Sequence, residues 1–174
     1  VTNIGGFSSD RFLSDEEIEE KFDNFGKSLR ELDTEGINLI PQTMAPFPWH
    51  FGGQRYQNIL MTSADVSRMR REYGLEVCLD ISHTQLYCNV FNQDILSFIR
   101  EVGDNVSHLH ISDTDGENGE GLQIGTGTSD LASIMIELDL ACPNASFIPE
   151  VWQGHKNEGE GFVKALNELN KLAR

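Results

Sequence analysis

Apolar and polar positions along the chain follow two alternating periods. In "SDEEIEEKFDNFGKSLRELDTEG", Ile18, Phe22, Phe25, Leu29 and Leu32 recur every three or four residues, the spacing of one buried helix face. Ser14 and Glu17 stand in capping-box spacing ahead of that stripe and Gly36 follows it, so an amphipathic helix is predicted between those signals. Shorter stripes predict helices over Ser63–Tyr73, around 93–102, around 129–140 and around 160–172. A short apolar run precedes each helix, at 1–4, 37–42, 76–81, 106–111 and 147–151. A strand followed by a helix, repeated five times, predicts βαβ units on a parallel sheet within a single domain over 1–174. The long loops follow strands: "TMAPFPWHFGGQRYQNILMT" after the second and "SDTDGENGEGLQIGTGT" after the fourth. That arrangement puts the working surface at the C-terminal ends of the strands.

Strand parity then selects side chains. Residues i and i+2 of a strand point the same way. In the run 76–81, Val77, Leu79 and Ile81 oppose Glu76, Cys78 and Asp80; in 106–111, Ser107, Leu109 and Ile111 oppose Val106, His108 and His110. In 147–151, Phe147, Pro149 and Val151 oppose Ile148 and Glu150, with Trp152 continuing the second set, while Ile37, Leu39 and Pro41 oppose Asn38, Ile40 and Gln42. With the mostly apolar sets under helices, Gln42, Asp80, His110 and Glu150 share the other face near the strand ends. Carboxylate and imidazole groups converging on one mouth suit a hard divalent cation such as Mg²⁺ or Mn²⁺. Taken singly, each has a plainer reading: Asp80 and His83 as a pair tying down a loop, His108 and His110 as strand histidines with ordinary partners. Glu150, inside an apolar run, fits the plain reading least well, because an uncompensated buried carboxylate is costly.

Composition narrows the partners. Lys and Arg total 13 against 28 Asp and Glu, a formal charge of −15, which argues against nucleic acid and acidic membranes. Three scattered cysteines, Cys78, Cys88 and Cys142, form neither a disulfide framework nor a zinc motif and fit a reducing compartment, the cytoplasm. No basic-then-apolar leader opens the chain and no apolar run approaches a membrane span.

Several motifs, in order, resemble the sugar phosphate isomerase/epimerase family of xylose isomerase-like TIM barrels. "IGG" at 4–6 is similar to a family strand ending in a glycine pair, "LIPQTMAPFPW" to "LxLENxPxxPW", "CLDISH" to "LDxxH", "HLHISD" to "HxHxxD", "LQIGTG" to "LPLGEG", and "FIPEVW" to a terminal strand ending in Glu. The resemblance implies an incomplete parallel (β/α) TIM-barrel-like domain of class α/β, about five units from the C-terminal part of an eight-stranded barrel. It implies a divalent metal (Mn, Mg, Co or Zn) at Gln42, Asp80, His110 and Glu150. In epimerases of that family two metal-bound glutamates shuttle a proton at the carbon next to a carbonyl of a sugar or sugar phosphate through an enediolate; on this chain the catalytic candidates are Glu150 and His83. Substrate contacts are expected from His83, His108, Trp49 and Arg55, with Phe51 beside Trp49 as a further wall; loop packing explains that aromatic cluster equally well.

Three departures qualify the resemblance. Gln42 stands where the family pattern has Glu, and an amide is neither charged nor a base near neutral pH. Gly121 stands where many members have His, with Gln123 and Thr126 beyond it, which argues against the DNA-repair branch and its zinc cluster. The chain is also short for a closed barrel, so a fragment or truncated product that forms a homo-oligomer covering open barrel edges is expected. Two further readings stay open: a non-catalytic descendant that binds carbohydrate or a partner, and a metal-dependent hydrolase or lyase at the same mouth.

Overall fold

The computed structural model describes residues 1–50 and 53–172. In chain order its elements are β1 (Phe7–Ser8), α1 (Asp15–Glu31), β2 (Trp49–His50), β3 (Gly53–Gln54), β4 (Tyr56–Gln57), α2 (Ser63–Tyr73), β5 (Val77–Asp80), α3 (Ile81–Phe91), α4 (Ile95–Val102), β6 (Val106–Ile111), β7 (Asp113–Asp115), β8 (Gly119–Leu122), α5 (Leu131–Ala141), β9 (Ser146–Pro149) and α6 (Lys156–Leu172). Strands β5, β6 and β9 form a parallel sheet in that order. Two further segments extend it beyond β5. Cys78 N–H donates to the Pro41 carbonyl (2.8 Å) and Thr43 N–H to that of Cys78 (3.0 Å), while Gln42 N–H reaches the Thr2 carbonyl (2.9 Å) and Thr2 N–H that of Ile40 (3.0 Å). Five parallel segments therefore lie side by side in chain order, as part of an open α/β barrel.

The predicted strands at 1–4 and 37–42 appear as single parallel bridges, Thr2 to Pro41 and Gln42 to Cys78. Pro41 has no N–H to donate, so a regular ladder cannot run through it. The first helix also stops earlier than its stripe suggests, at Glu31, where Leu32 turns extended. Helix α3, absent from the periodicity, fills the stretch between β5 and α4. Its Ile81, Ser82, Thr84, Leu86 and Cys88 are all buried, and a helix covered on several faces shows no amphipathic stripe. In α6 the residues Asn157, Glu158 and Gly159 have φ of 50°, 60° and 87°, so the regular helix begins only after them, at the predicted position.

The core lies between the outer sheet face and the helices. Val77, Leu79, Leu109 and Ile111 meet Val66 and Met69 of α2, Ile95, Phe98, Ile99 and Val102 of α4, and Ile134 and Leu138 of α5 within one buried cluster. The α4 set has the i, i+3, i+4, i+7 spacing of a single helix face. Gly103 lets the end of α4 approach α5: a Cβ there would stand 2.4 Å from the Ala141 carbonyl oxygen. Ahead of α1, the side chains of Gln57 and Asn58 tie the amino-terminal segment down, Gln57 Nε2 donating to the Gly5 carbonyl (2.7 Å) and Asn58 Nδ2 to that of Gly6 (3.1 Å). All three cysteines are buried free thiols. Among the described residues no helix is long and apolar enough to cross a membrane.

Truncating Ile99, fully buried in α4, to alanine is expected to cost about 2–5 kcal/mol, and Leu140→Ala, at a position 73% exposed, less than about 0.5 kcal/mol. Urea unfolding of the two variants measures the difference; equal losses would contradict the packing described.

Candidate metal centre

The site begins where β5 ends. Asp80 is the N-cap of α3, its Oδ1 accepting the His83 backbone N–H at 3.0 Å. Its other oxygen, Oδ2, faces the strand ends, where Gln42 Nε2 donates to it at 2.9 Å. Asp80 and His110 are paired directly across β5 and β6, and Glu150 follows β9 with its N–H donating to the Ile111 carbonyl at 3.0 Å. Ligand atoms of Asp80, His110 and Glu150 all lie within 4.8 Å of one another.

His110 holds the most telling atom. Its Nδ1 is buried, 2.5 Å from Glu150 Oε2 and 3.7 Å from Asp80 Oδ2, yet makes no hydrogen bond of acceptable geometry among the described residues. A buried nitrogen left without a hydrogen bond between two carboxylates is costly. It fits a lone pair directed at a shared cation, and the donor set of two carboxylates and one imidazole suits a hard or borderline divalent ion. Gln42 adjoins this set as an amide donor to Asp80; for its oxygen to serve as a ligand, the amide must turn over.

Without a cation, charge is balanced by protons. Burial pushes the His110 imidazole down, but Asp80, Cys78 and Glu150 outweigh it and raise its pKa to about 11. For His83, burial is likewise overcome by the Asp80 and Glu120 carboxylates and the Thr43 carbonyl, and its pKa rises to about 9. Burial would raise Asp80, but the charges of His83 and His110 and the bond from the His83 backbone hold it below the usual carboxylate value. The orientation of His83 follows from Thr43: His83 Nδ1 lies 2.9 Å from the Thr43 carbonyl oxygen, which can only accept, so Nδ1 carries a hydrogen. Nε2 is then left facing Glu120 Oε2 at 3.4 Å. The Thr43 hydroxyl also accepts the Asp80 N–H at 2.9 Å.

Asp80, His83 and Glu150 line one cavity of about 350 Å³, together with Ser82, Ser112, Glu120, Gly121, Val151, Trp152, Gln153 and His155. Trp49, 61% exposed on β2, and Arg55, between β3 and β4 with its N–H bonded to the Pro48 carbonyl, are not among its lining residues. Phe51 lies outside the described residues. His108 sits one inward position below His110, the two rings 5.2 Å apart at 85°, and its Nδ1 is 2.7 Å from Ser146 Oγ. Sequence reasoning passed over Thr43, Glu120 and Trp152. Thr43 and Glu120 carry no spacing signal, since "ENGEG" reads as solvated loop, whereas Trp152 stands two residues after Glu150 with the parity of the site face.

Over residues 2–172 the chain matches a family described as "Xylose isomerase-like TIM barrel". It belongs to that family. No curated protein matches its sequence. Solved structures of similar fold include a D-tagatose 3-epimerase-like protein (16% identity, TM-score 0.63, covering 91% of this chain and 55% of that one) and an L-ribulose 3-epimerase (15%, TM-score 0.63, 97% and 57%). A third is the probable 3-DHS dehydratase AsbF from Bacillus anthracis (14%, TM-score 0.63, 98% and 61%). At these identities the likeness is one of fold. The chain spans between 55% and 61% of the length of these three structures.

Because a bound cation must displace the proton held by His110, metal affinity is expected to rise with pH and binding at neutral pH to release about one proton. Its pKa, raised from 6.5 to about 11, also sets the stability of the metal-free protein: the contribution is full below pH 6.5 and disappears as pH climbs toward 11. Calorimetric titration of Mg²⁺ or Mn²⁺ in buffers of different ionisation enthalpy counts the protons, and pH-independent binding with no proton release would contradict the ligand set.

Proposed function

We propose that the chain carries the metal-binding half of a sugar isomerase or epimerase site, with Asp80, His110 and Glu150 as ligands and Gln42 as a neutral fourth. The observation that carries the reading is the three-ligand cluster, of which Asp80 and Glu150 also line the cavity that contains His83. A divalent cation there supplies Lewis-acid polarisation of a substrate carbonyl, which acidifies the adjoining C–H. In this reading Glu150, which lines the cavity with a half-exposed side chain, accepts that proton. His83 faces the same cavity through Nε2 and, with a pKa near 9, is protonated at neutral pH; it donates a hydrogen bond or proton to the substrate oxygen. Glu120 faces the same nitrogen at 3.4 Å and steadies that imidazolium from the cavity wall. A two-carboxylate shuttle is unavailable because Gln42 is an amide, so base and acid differ in kind here.

The neighbours' names support this reading in class: one is called a D-tagatose 3-epimerase-like protein, one an L-ribulose 3-epimerase and the third a probable dehydratase. A binding role without catalysis draws its support from Gln42, which lowers the charge of the ligand set. Covering of the open sheet by a second copy belongs to the same proposal, since Phe147 and Ile148 on β9 are 47% and 44% exposed; sedimentation equilibrium would show a dimer, and a monomer at high concentration would remove that element.

With a free ketose in D2O, deuterium incorporation next to the carbonyl, followed by NMR, is expected with wild-type protein and divalent cation. Glu150→Gln should lower the exchange rate by about 10²–10⁴-fold. Gln42→Glu should tighten metal binding by about tenfold or more, since affinity follows ligand charge. Stoichiometric metal with no exchange on any ketose, or no metal at all, would leave only the binding role.

A further inference from the structure

We propose that Trp152, seated on Gly121, is the platform on which the apolar C–H face of an unphosphorylated sugar lies; this rests on the sugar-processing reading above and names the substrate class and the residue that selects it.

Two observations carry the proposal. The first is how the indole is held. The Trp152 backbone N–H donates to the Gly121 carbonyl at 2.7 Å, and the Gly121 backbone N–H donates in turn to Ser82 Oγ at 3.0 Å, so the turn after Glu150 is fastened to β8 and through it to the first turn of α3. Gly121 has φ +66°, and a Cβ there would lie 2.1 Å from Trp152 Cδ1 and 2.7 Å from Nε1. One edge of the indole therefore rests against the bare Cα of a glycine that no other residue can replace in this conformation. The rest of the side chain is 64% exposed, on the wall of the cavity that Glu150 and His83 enter. An aromatic ring fixed at one edge and open beside polar groups loses little entropy on binding and offers its π-face to C–H bonds.

The second observation is the charge inventory. Among the described residues lining the cavity, the carboxylates of Asp80, Glu120 and Glu150 are accompanied by no Lys or Arg. The two ring nitrogens of His83 already face the Thr43 carbonyl and the Glu120 carboxylate. A phosphate needs charged donors to offset its desolvation, and here it would meet two or three negative groups instead. Hydroxyls, by contrast, find acceptors and donors in Glu120, Ser112 and Gln153. An apolar platform facing polar acceptors, with no Lys or Arg beside it to pair an anionic group away from the metal ligands, matches an uncharged polyhydroxylated ring.

The test uses calorimetry and tryptophan emission on the full chain with Mg²⁺ present, probing D-fructose, D-tagatose, D-allulose and D-fructose 6-phosphate. At least one free ketohexose should bind and shift the emission of the wild-type protein. The shift should be absent in Trp152→Phe, which should keep most of the affinity, while Trp152→Ala should weaken binding by about tenfold with unchanged thermal unfolding. D-Fructose 6-phosphate should bind more weakly than D-fructose. Unaltered affinity in Trp152→Ala, an emission shift that persists in Trp152→Phe, tighter binding of the phosphate, or no binding of any free ketohexose would each overturn the proposal. Mg²⁺ titration without sugar reports separately on Asp80, His110 and Glu150, so a failed platform and a failed metal centre give different results.

Discussion

The arrangement depends on one buried carboxylate. Asp80 ends a strand, starts a helix and presents an oxygen to the site, all with a side chain only 3% exposed. A carboxylate taken out of water costs several kcal/mol unless each oxygen finds donors. Here one oxygen takes the His83 N–H and the other the Gln42 amide, with the imidazoliums of His83 and His110 supplying charge. The helix start is thereby welded to the site: the bond that caps α3 also places His83 over the strand ends. Thr43 completes the lock, its hydroxyl holding the Asp80 backbone and its carbonyl the His83 ring. The neighbouring segment, β5 and α3 thus share a few polar contacts, and none can move without the others.

Gln42 changes the electrostatics of that lock. With two carboxylates and one imidazole, a divalent ion would bring the ligand set to neutrality, where a third carboxylate would leave it negative. Fewer anionic ligands bind the ion less tightly, but they also donate less charge to it, which leaves it a stronger Lewis acid toward a carbonyl. The same substitution removes one candidate base. Affinity and base count fall together, while polarising power rises, so under the proposed reading the chemistry would rest on Glu150 and His83, groups of opposite character that line the same cavity.

Much of this was legible from period and parity. Alternation along β5, β6 and β9 placed Asp80, His110 and Glu150 on one face before any coordinate, because a strand has only two faces and the apolar set claims one. The parallel order of the segments followed from the strand-helix repeat. Other features were hidden for physical reasons. Helix α3 is buried on several sides, so its sequence lacks the polar stripe that betrays a surface helix. Pro41 interrupts a ladder that the hydrophobic pattern alone would continue. Glu120 sits in a glycine- and acid-rich hairpin whose composition resembles solvent-exposed loop, and only the β7–β8 pairing, Asp113 with Leu122 and Asp115 with Gly119, folds it back over His83. Trp49 and Arg55 drew attention by residue type, while Trp152 had the parity.

The position of Glu150 has a consequence for dynamics. Strand β9 lies at the edge of the sheet among the described residues, paired only with β6, and its burial is slight. Edge strands open more readily than central ones, and a base on such a strand would wander unless held beyond the strand's last residue. Two backbone bonds do this: Glu150 N–H to Ile111 and Trp152 N–H to Gly121. They bracket Glu150 on both sides, the first continuing the parallel ladder and the second crossing to the β8 hairpin. Asp113 steadies the loop that follows that hairpin, its buried carboxylate accepting the N–H groups of Thr114, Gly125 and Gly127. The order of this edge is therefore inherited from two carbonyls, that of Ile111 on the neighbouring strand and that of Gly121 on the hairpin, and not from the pairing of β9 alone.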